Sequence, residues 1–238
     1  MEALKRGIYQ TFIYQDNYLY FVRGLKITLI VAFFALIIGL ILGALVSIVR
    51  SAHDQQGEHK NKVLGFFNAI CQIYLTVIRG TPSMVQLLIM WFVIWASARS
   101  TDFNMTICAI LSFGINSGAY IAEIFRSGIM SVDKGQMEAG RSLGLTYAST
   151  MKSVIIPQAF KTSIPALGNE MITLVKETSI VTVIGLKDLT KGAMIIQANT
   201  FQALVPYFAI ALIYLAIVLI LSWIMSKVER RLRKSDIR

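Results

Sequence analysis

Charge is scarce in this sequence. Charged residues fill 15% of its 238 positions, against about 25% in an ordinary soluble domain. That deficit excludes a free-standing water-soluble enzyme as the first reading. Cysteine is scarce as well. The two thiols, Cys71 and Cys108, both lie in apolar surroundings and offer neither a disulfide framework nor a metal-ligand spacing. Histidine occurs only as His53 and His59, in one polar loop, where solvation is the simplest account of both. With no HExxH and no GxSxG, the motifs of an intramembrane metallo- or serine hydrolase are missing. A Gly-x4-Gly-Lys-Ser/Thr loop is also lacking, so the chain has no phosphate cradle of its own for ATP.

What is there is apolar and clustered. Hydrophobic residues make up 55% of the chain, and the mean hydropathy is +0.63. Residues 25–49 hold no charge after Lys26, and residues 203–226 hold none. Each run exceeds the about 20 helical residues that cross a bilayer core. The runs lack the alternation of barrel strands, so the expected fold is all-α and integral to the membrane. The first run starts too late and runs too long for a cleavable signal. Five transmembrane helices are expected, at about 25–49, 82–98, 105–126, 164–185 and 203–226. Gly39 and Gly43, and again Gly114 and Gly118, form GxxxG patterns that permit close helix approach. Residues 63–79 read as a moderately apolar helix closed by "RGTP", where Pro82 biases Thr81 away from helix and predicts a break. Tyr9, Tyr14, Tyr18 and Tyr20 suit a membrane interface. An ion-coupled secondary transporter would need internal repeats and more spans than five.

The net charge of +10 has a simple home. The tail "KVERRLRKSDIR" (227–238) follows the last span directly, as cytoplasmic ends do, and can also touch anionic lipid; no nucleic-acid role is needed. An odd number of spans then puts the N-terminus outside. The expected organisation is an extracytoplasmic segment over 1–24, a transmembrane domain over 25–226 and a basic cytoplasmic tail over 227–238. Loops 50–62 and 127–161 become cytoplasmic. Their excess of Arg50, Lys60 and Lys62, and of Lys134, Arg141, Lys152 and Lys161, agrees with this. Lys5, Arg6, Arg23 and Lys26 run against it.

One cytoplasmic stretch, "EAGRSLGLTYASTMKSVIIP", is polar and ordered in pattern. Gln136 to Leu143 can form a short helix, Gly144 can take the positive φ at its end, and Thr146 can cap a second helix over 147–155 that stops before Pro157. Glu138 and Arg141 stand three apart on one face and can pair. Polar residues also mark two spans. Asn116, Tyr120 and Glu123 recur at i, i+4, i+7, and so do Asn169, Thr173 and Lys176, with Glu170 and Glu177 beside them. Such groups are expensive in a membrane. They serve either to bind a polar ligand or to hold the helices to one another.

The polar stretch resembles the EAA loop of ABC importer permeases: Glu138-Ala139-Gly140, three residues, Gly144, nine residues, then Val154, Ile155, Ile156 and Pro157. It departs in Gly140 for Ala, Val154 for Ile and Ile156 for Leu. Gly140 costs a helix up to about 1 kcal/mol against Ala. "RGTPSMVQ", "SGAYIAEIFRSGI" and "GNEMITLVKETSI", with Lys176-x-Thr178-Ser179, resemble the polar amino acid (histidine/glutamine-type) branch. The likeness runs over about residues 20–230. It implies a MetI-like permease core with a cytoplasmic helix-Gly-helix coupling loop at about 134–157. It also implies a non-catalytic subunit. A second permease subunit, identical or related, pairs with it. A dimer of ABC ATPase subunits binds ATP and Mg, and an extracellular solute-binding protein delivers the amino acid. The coupling residues would be Glu138, Ala139, Gly140, Arg141, Gly144 and Pro157. The substrate path would draw on Asn116, Tyr120, Glu123, Asn169, Glu170, Thr173, Lys176 and Thr178. Lys176 can meet an α-carboxylate, and Glu123 or Glu170 an amine. The acidic excess leans toward cationic amino acids. The alternative is another small polar solute, such as an opine or an amino acid derivative.

Overall fold

The computed structural model describes residues 2–54 and 61–234. His59, Lys60 and the last four residues of the basic tail fall outside them. The described residues are helical in chain order: α1 (Glu2–Phe12), α2 (Tyr18–Asp54), α3 (Lys62–Gly80), α4 (Ser83–Ile89), α5 (Asp102–Met130), α6 (Lys134–Ser142), α7 (Tyr147–Thr150), α8 (Ile156–Glu177), α9 (Leu189–Thr200) and α10 (Leu204–Lys234). A π turn at Met90–Ile94 extends α4, another at Met151–Ile155 joins α7 to α8, and a 3-10 helix at Thr178–Ile184 extends α8.

Among the described residues, four stretches are long and apolar enough to cross a bilayer: Tyr14–Asp54, Lys62–Gly80, Asp102–Met130 and Leu204–Leu232. The first helix starts well before the expected residue 25. The expected span at 82–98 is helical only over Ser83–Ile94, which is short for a crossing. The helix expected over 63–79 is instead one of the four long ones. The cause is the proline: α3 stops at Gly80, and Thr81 turns extended (φ −123°, ψ 147°), as the residue before a proline must. Its hydroxyl donates back to the Val77 carbonyl at 2.8 Å.

The chain divides into two compact units. The first comprises residues 1–36, 83–114 and 171–223. Its core is built on α9, where Leu189, Ala193 and Ile196 are buried with Phe21 and Ala209. Asp188 caps α9, its carboxylate accepting from the Thr190 N–H (3.0 Å) and the Lys191 N–H (2.9 Å). The Leu189 N–H meets Thr28 Oγ1 at 3.3 Å, so the start of α9 is tied to α2.

The second unit comprises residues 37–82, 115–170 and 224–238. Here Leu75, Ala119 and Ala122 are buried against Val46, Tyr74 and Ile78, which brings α2, α3 and α5 together. The first GxxxG works as its spacing suggests. A Cβ on Gly43 would sit 2.5 Å from Ile121 Cγ2, so α2 and α5 touch where only glycine fits. Tyr74 crosses from α3 and donates its hydroxyl to the Ile115 carbonyl at 2.6 Å. This unit carries most of the candidate site.

Candidate functional site

The polar residues of α5 and α8 within the second unit open onto a cavity of about 560 Å³ whose lining includes Arg79, Tyr120, Glu123, Ser163 and Glu170. Glu170 accepts a hydrogen bond from Ser117 Oγ at 2.7 Å. This leaves the rest of its carboxylate available to the cavity. Arg79, on the last turn of α3, stands over the Tyr120 ring at 5.5 Å from the centroid, in the range where a guanidinium and an aromatic face attract. Arg79 and Glu123 also line a second cavity of about 520 Å³, with Arg50.

Glu123 is already engaged. Arg126, three residues on, meets its carboxylate through Nε (3.1 Å to Oε2) and Nη2 (2.5 Å to Oε1). The same guanidinium reaches Asp54 at the end of α2, with Nη1 3.7 Å from Oδ2. The structure thus brings Tyr120, Glu123 and Glu170 together. It adds Arg79 and Arg126, which the sequence reading passed over. Arg126 had a signal, since the i, i+3 rule applied to Glu138 and Arg141 applies equally to Glu123 and Arg126. Arg79 stands in "RGTP", a pattern that by itself predicts only a break.

The other expected path residues are placed differently. Asn116 is buried on α5 and Asn169 exposed on α8. Thr173, Lys176 and Thr178 belong to the first unit. There Thr173 and Lys176 are exposed. Thr178 is fully buried and donates to the Val175 carbonyl at 2.6 Å, with Tyr214 as a second hydrogen-bond partner of its hydroxyl.

The stretch expected to couple folds as two helices about a glycine. Asp133 caps α6 by accepting from the Gly135 N–H at 2.6 Å. Gly144 takes φ +81°. The Leu145 N–H then bonds the Gly140 carbonyl (3.1 Å) and the Gly144 N–H bonds that of Arg141 (3.0 Å), the paired closure of a Schellman motif. Thr146 caps α7, accepting from the Ser149 N–H at 3.2 Å. The expected stop before Pro157 does not occur. The chain runs through the π turn, with the Ile156 N–H bonded to the Met151 carbonyl five residues back, and continues as α8. The wider turn has already offset the hydrogen-bond ladder, so the N–H that Pro157 lacks is not missed.

Gly140 is buried against Thr150. A Cβ there would lie 2.5 Å from Thr150 Cγ2, so the glycine lets α6 lie directly on α7. Glu138, Ala139 and Arg141 are exposed. Among the described residues Glu138 and Arg141 form no ion pair. Together with Asp54 and Tyr147 they line a cavity of about 360 Å³. Burial pushes the Tyr147 phenol above its ordinary pKa. Leu143 is 82% exposed at the tip, and sequence reasoning had not singled it out.

Comparison with known proteins gives a consistent result. Residues 60–234 match the family described as the binding-protein-dependent transport system inner membrane component. The arginine transport system permease protein ArtQ of Bacillus subtilis is 40% identical over 217 residues, covering 91% of this chain and 94% of the relative. The glutamine transport system permease protein GlnP of Escherichia coli K12 is 36% identical, over 89% of this chain and 92% of the relative. A crystal structure of an amino acid ABC transporter with histidines superposes with a TM-score of 0.78 at 40% identity, covering 89% of this chain and 94% of that one. The MetNI methionine ABC transporter, at 20% identity, matches with a TM-score of 0.73 over 90% of this chain and 96% of its own, a likeness of fold.

Proposed function

The chain belongs to the binding-protein-dependent transport system inner membrane components, and from that membership we propose that it is the permease subunit of an ATP-driven importer of amino acids. ATP and Mg are bound by a separate ATPase dimer, a solute-binding protein delivers the substrate, and a second permease chain completes the path. Five crossings follow if α2, α3, α5, α8 with its 3-10 extension, and α10 each make one. The basic tail and the loop at about 134–157 then face the cytoplasm, and the segment 1–24 lies outside.

The observation that carries the substrate reading is Arg79 and Glu170 on one cavity. An amino acid needs a cation for its carboxylate and an anion for its amine or side-chain charge. We place the carboxylate with Arg79, which shares the cavity with Glu170, ahead of Lys176. Glu170 takes the cationic group, because Glu123 is occupied by Arg126. This and the 40% identity to an arginine permease favour a cationic amino acid over glutamine. The α6–Gly144–α7 knob is the joint to the ATPase: it is rigid, and it exposes Glu138, Arg141 and the apolar Leu143.

Uptake of labelled L-arginine into proteoliposomes, with binding protein and ATP, is the test. Inhibition by lysine or histidine with little by glutamine supports the cationic reading. Inhibition by an opine alone favours the alternative solute. Uptake driven by an ion gradient without ATP overturns the importer reading.

A further inference from the structure

Asp54 is the last described residue of α2. Arg126 lies 3.7 Å from its carboxylate, and the neighbouring His53 Nδ1 also stands at 3.7 Å. Both Asp54 and Arg126 are about one-third exposed or less, and such partly solvated pairs contribute little to stability, about 0–1 kcal/mol. Their position is more informative. Asp54 lines the cavity that holds Glu138, Arg141 and Tyr147 of the coupling loop. Glu123, at the other end of the same guanidinium, lines the cavities that hold Arg79 and Glu170. One side chain therefore links the acidic group beside the coupling loop to the acidic group on the path.

We propose that Arg126 is a positioning residue that couples the two cavities, shared between Asp54 and Glu123 in the present conformation and surrendering Asp54 when the coupling loop is displaced. Freed from Asp54, the guanidinium follows Glu123 alone. The Glu123 carboxylate, and Arg79 beside it, are then set differently toward the path. The linkage requires only that the two arrangements differ in energy and that both cavities bias them. This inference rests on the importer reading above.

The test is a double-mutant cycle on the assembled complex in proteoliposomes with its ATPase and binding protein. It reads labelled L-arginine, and in parallel L-glutamine, taken up per ATP hydrolysed. Asp54→Asn and Arg126→Gln should each lower that ratio at least about fivefold, the lower end of a typical coupling energy. The double variant should be no worse than the poorer single one, and Arg126→Lys should recover part of the loss. Multiplying losses in the double variant, or a ratio for Asp54→Asn within twofold of the unsubstituted complex, overturns the proposal. If Arg126→Gln does not assemble, Asp54→Asn decides alone, since it replaces one carboxylate oxygen by an amide at a partly exposed site. If the unsubstituted complex takes up neither amino acid in an ATP-dependent way, the importer reading fails instead.

Discussion

Gly140 lies against Thr150 so closely that a single added carbon would stand 2.5 Å from the threonine methyl and 2.7 Å from its hydroxyl. The contact turns a local weakness into a packing requirement. Glycine costs α6 up to about 1 kcal/mol in propensity, yet it lets α6 seat on α7. Gly140→Ala should therefore destabilise the loop even though alanine is the better helix former, because overpacking costs typically about 1–3 kcal/mol. Faster limited proteolysis between residues 134 and 157 is the expected readout. Gly140→Ala combined with Thr150→Ala should restore resistance. If Gly140→Ala alone is as resistant as the native chain, the steric account is wrong.

Glu138 is exposed, and its carboxylate has no ion-pair partner among the described residues, so reversing its charge should leave the fold intact. Glu138→Lys should still purify as a monodisperse membrane protein but retain less than about a tenth of the co-expressed ATPase, a loss of about 1.4 kcal/mol in affinity. Leu143→Asp should act in the same direction, since an 82% exposed leucine has no intramolecular contact of consequence to lose. Full retention of the ATPase by both variants would move the docking surface elsewhere.

Glu170 offers a sharper test of specificity. Its carboxylate is anchored by Ser117, and Gln keeps the size and the hydrogen bond while removing the charge. Glu170→Gln should raise the concentration of arginine needed for half-maximal uptake by tenfold or more, as expected when one charge-assisted contact worth about 1.5–3 kcal/mol is lost. Glutamine uptake should change far less. Equal losses for both substrates would make Glu170 a structural group.

Local chemistry was legible in the sequence, and it was legible where neighbours in the chain decide the outcome. Gly144 takes its positive φ, Thr146 caps its helix, and Thr81 breaks before Pro82, because each depends on a few adjacent residues. Pro157 shows the limit. Its expected stop is removed by a π turn five residues wide, a change in the ladder that no single residue announces. The span at 82–98 was misplaced for a related reason. Polar residues such as Asn68, Gln72 and Arg79 dilute the hydropathy of α3, although its length suits a crossing. The polar stripes drew attention to Glu123 and Glu170, which line one cavity, but periodicity names a face and not a partner. The i, i+3 spacing permits the Glu123–Arg126 pair, but the Ser117 hydroxyl on Glu170, 53 residues away in the chain, is visible only in the geometry.

Asp188 provides a pH test of the first unit. It is fully buried at the cap of α9, and burial raises its carboxyl from an ordinary 3.8 to about 6, against the pull of the Lys191 and Thr190 hydrogen bonds. Nearby, Tyr214 and Thr190 bring their hydroxyls to 3.4 Å, while Lys187 is turned to Asp102 at 3.8 Å; among the described residues Asp188 forms no ion pair. Between about pH 4 and pH 6 the folded chain holds a proton that the unfolded chain has lost. Stability from this group is therefore greatest below pH 4 and falls as pH rises through 6, by roughly 3 kcal/mol for a shift of about two units. Asn caps helices as well as Asp and carries no charge. In detergent, Asp188→Asn should flatten the decline in Tm between pH 4.5 and 6.5 and exceed the native chain in Tm at pH 7. Parallel profiles for the two proteins would mean that the buried carboxyl titrates alike in the folded and unfolded chains, with the capping hydrogen bonds fully offsetting burial.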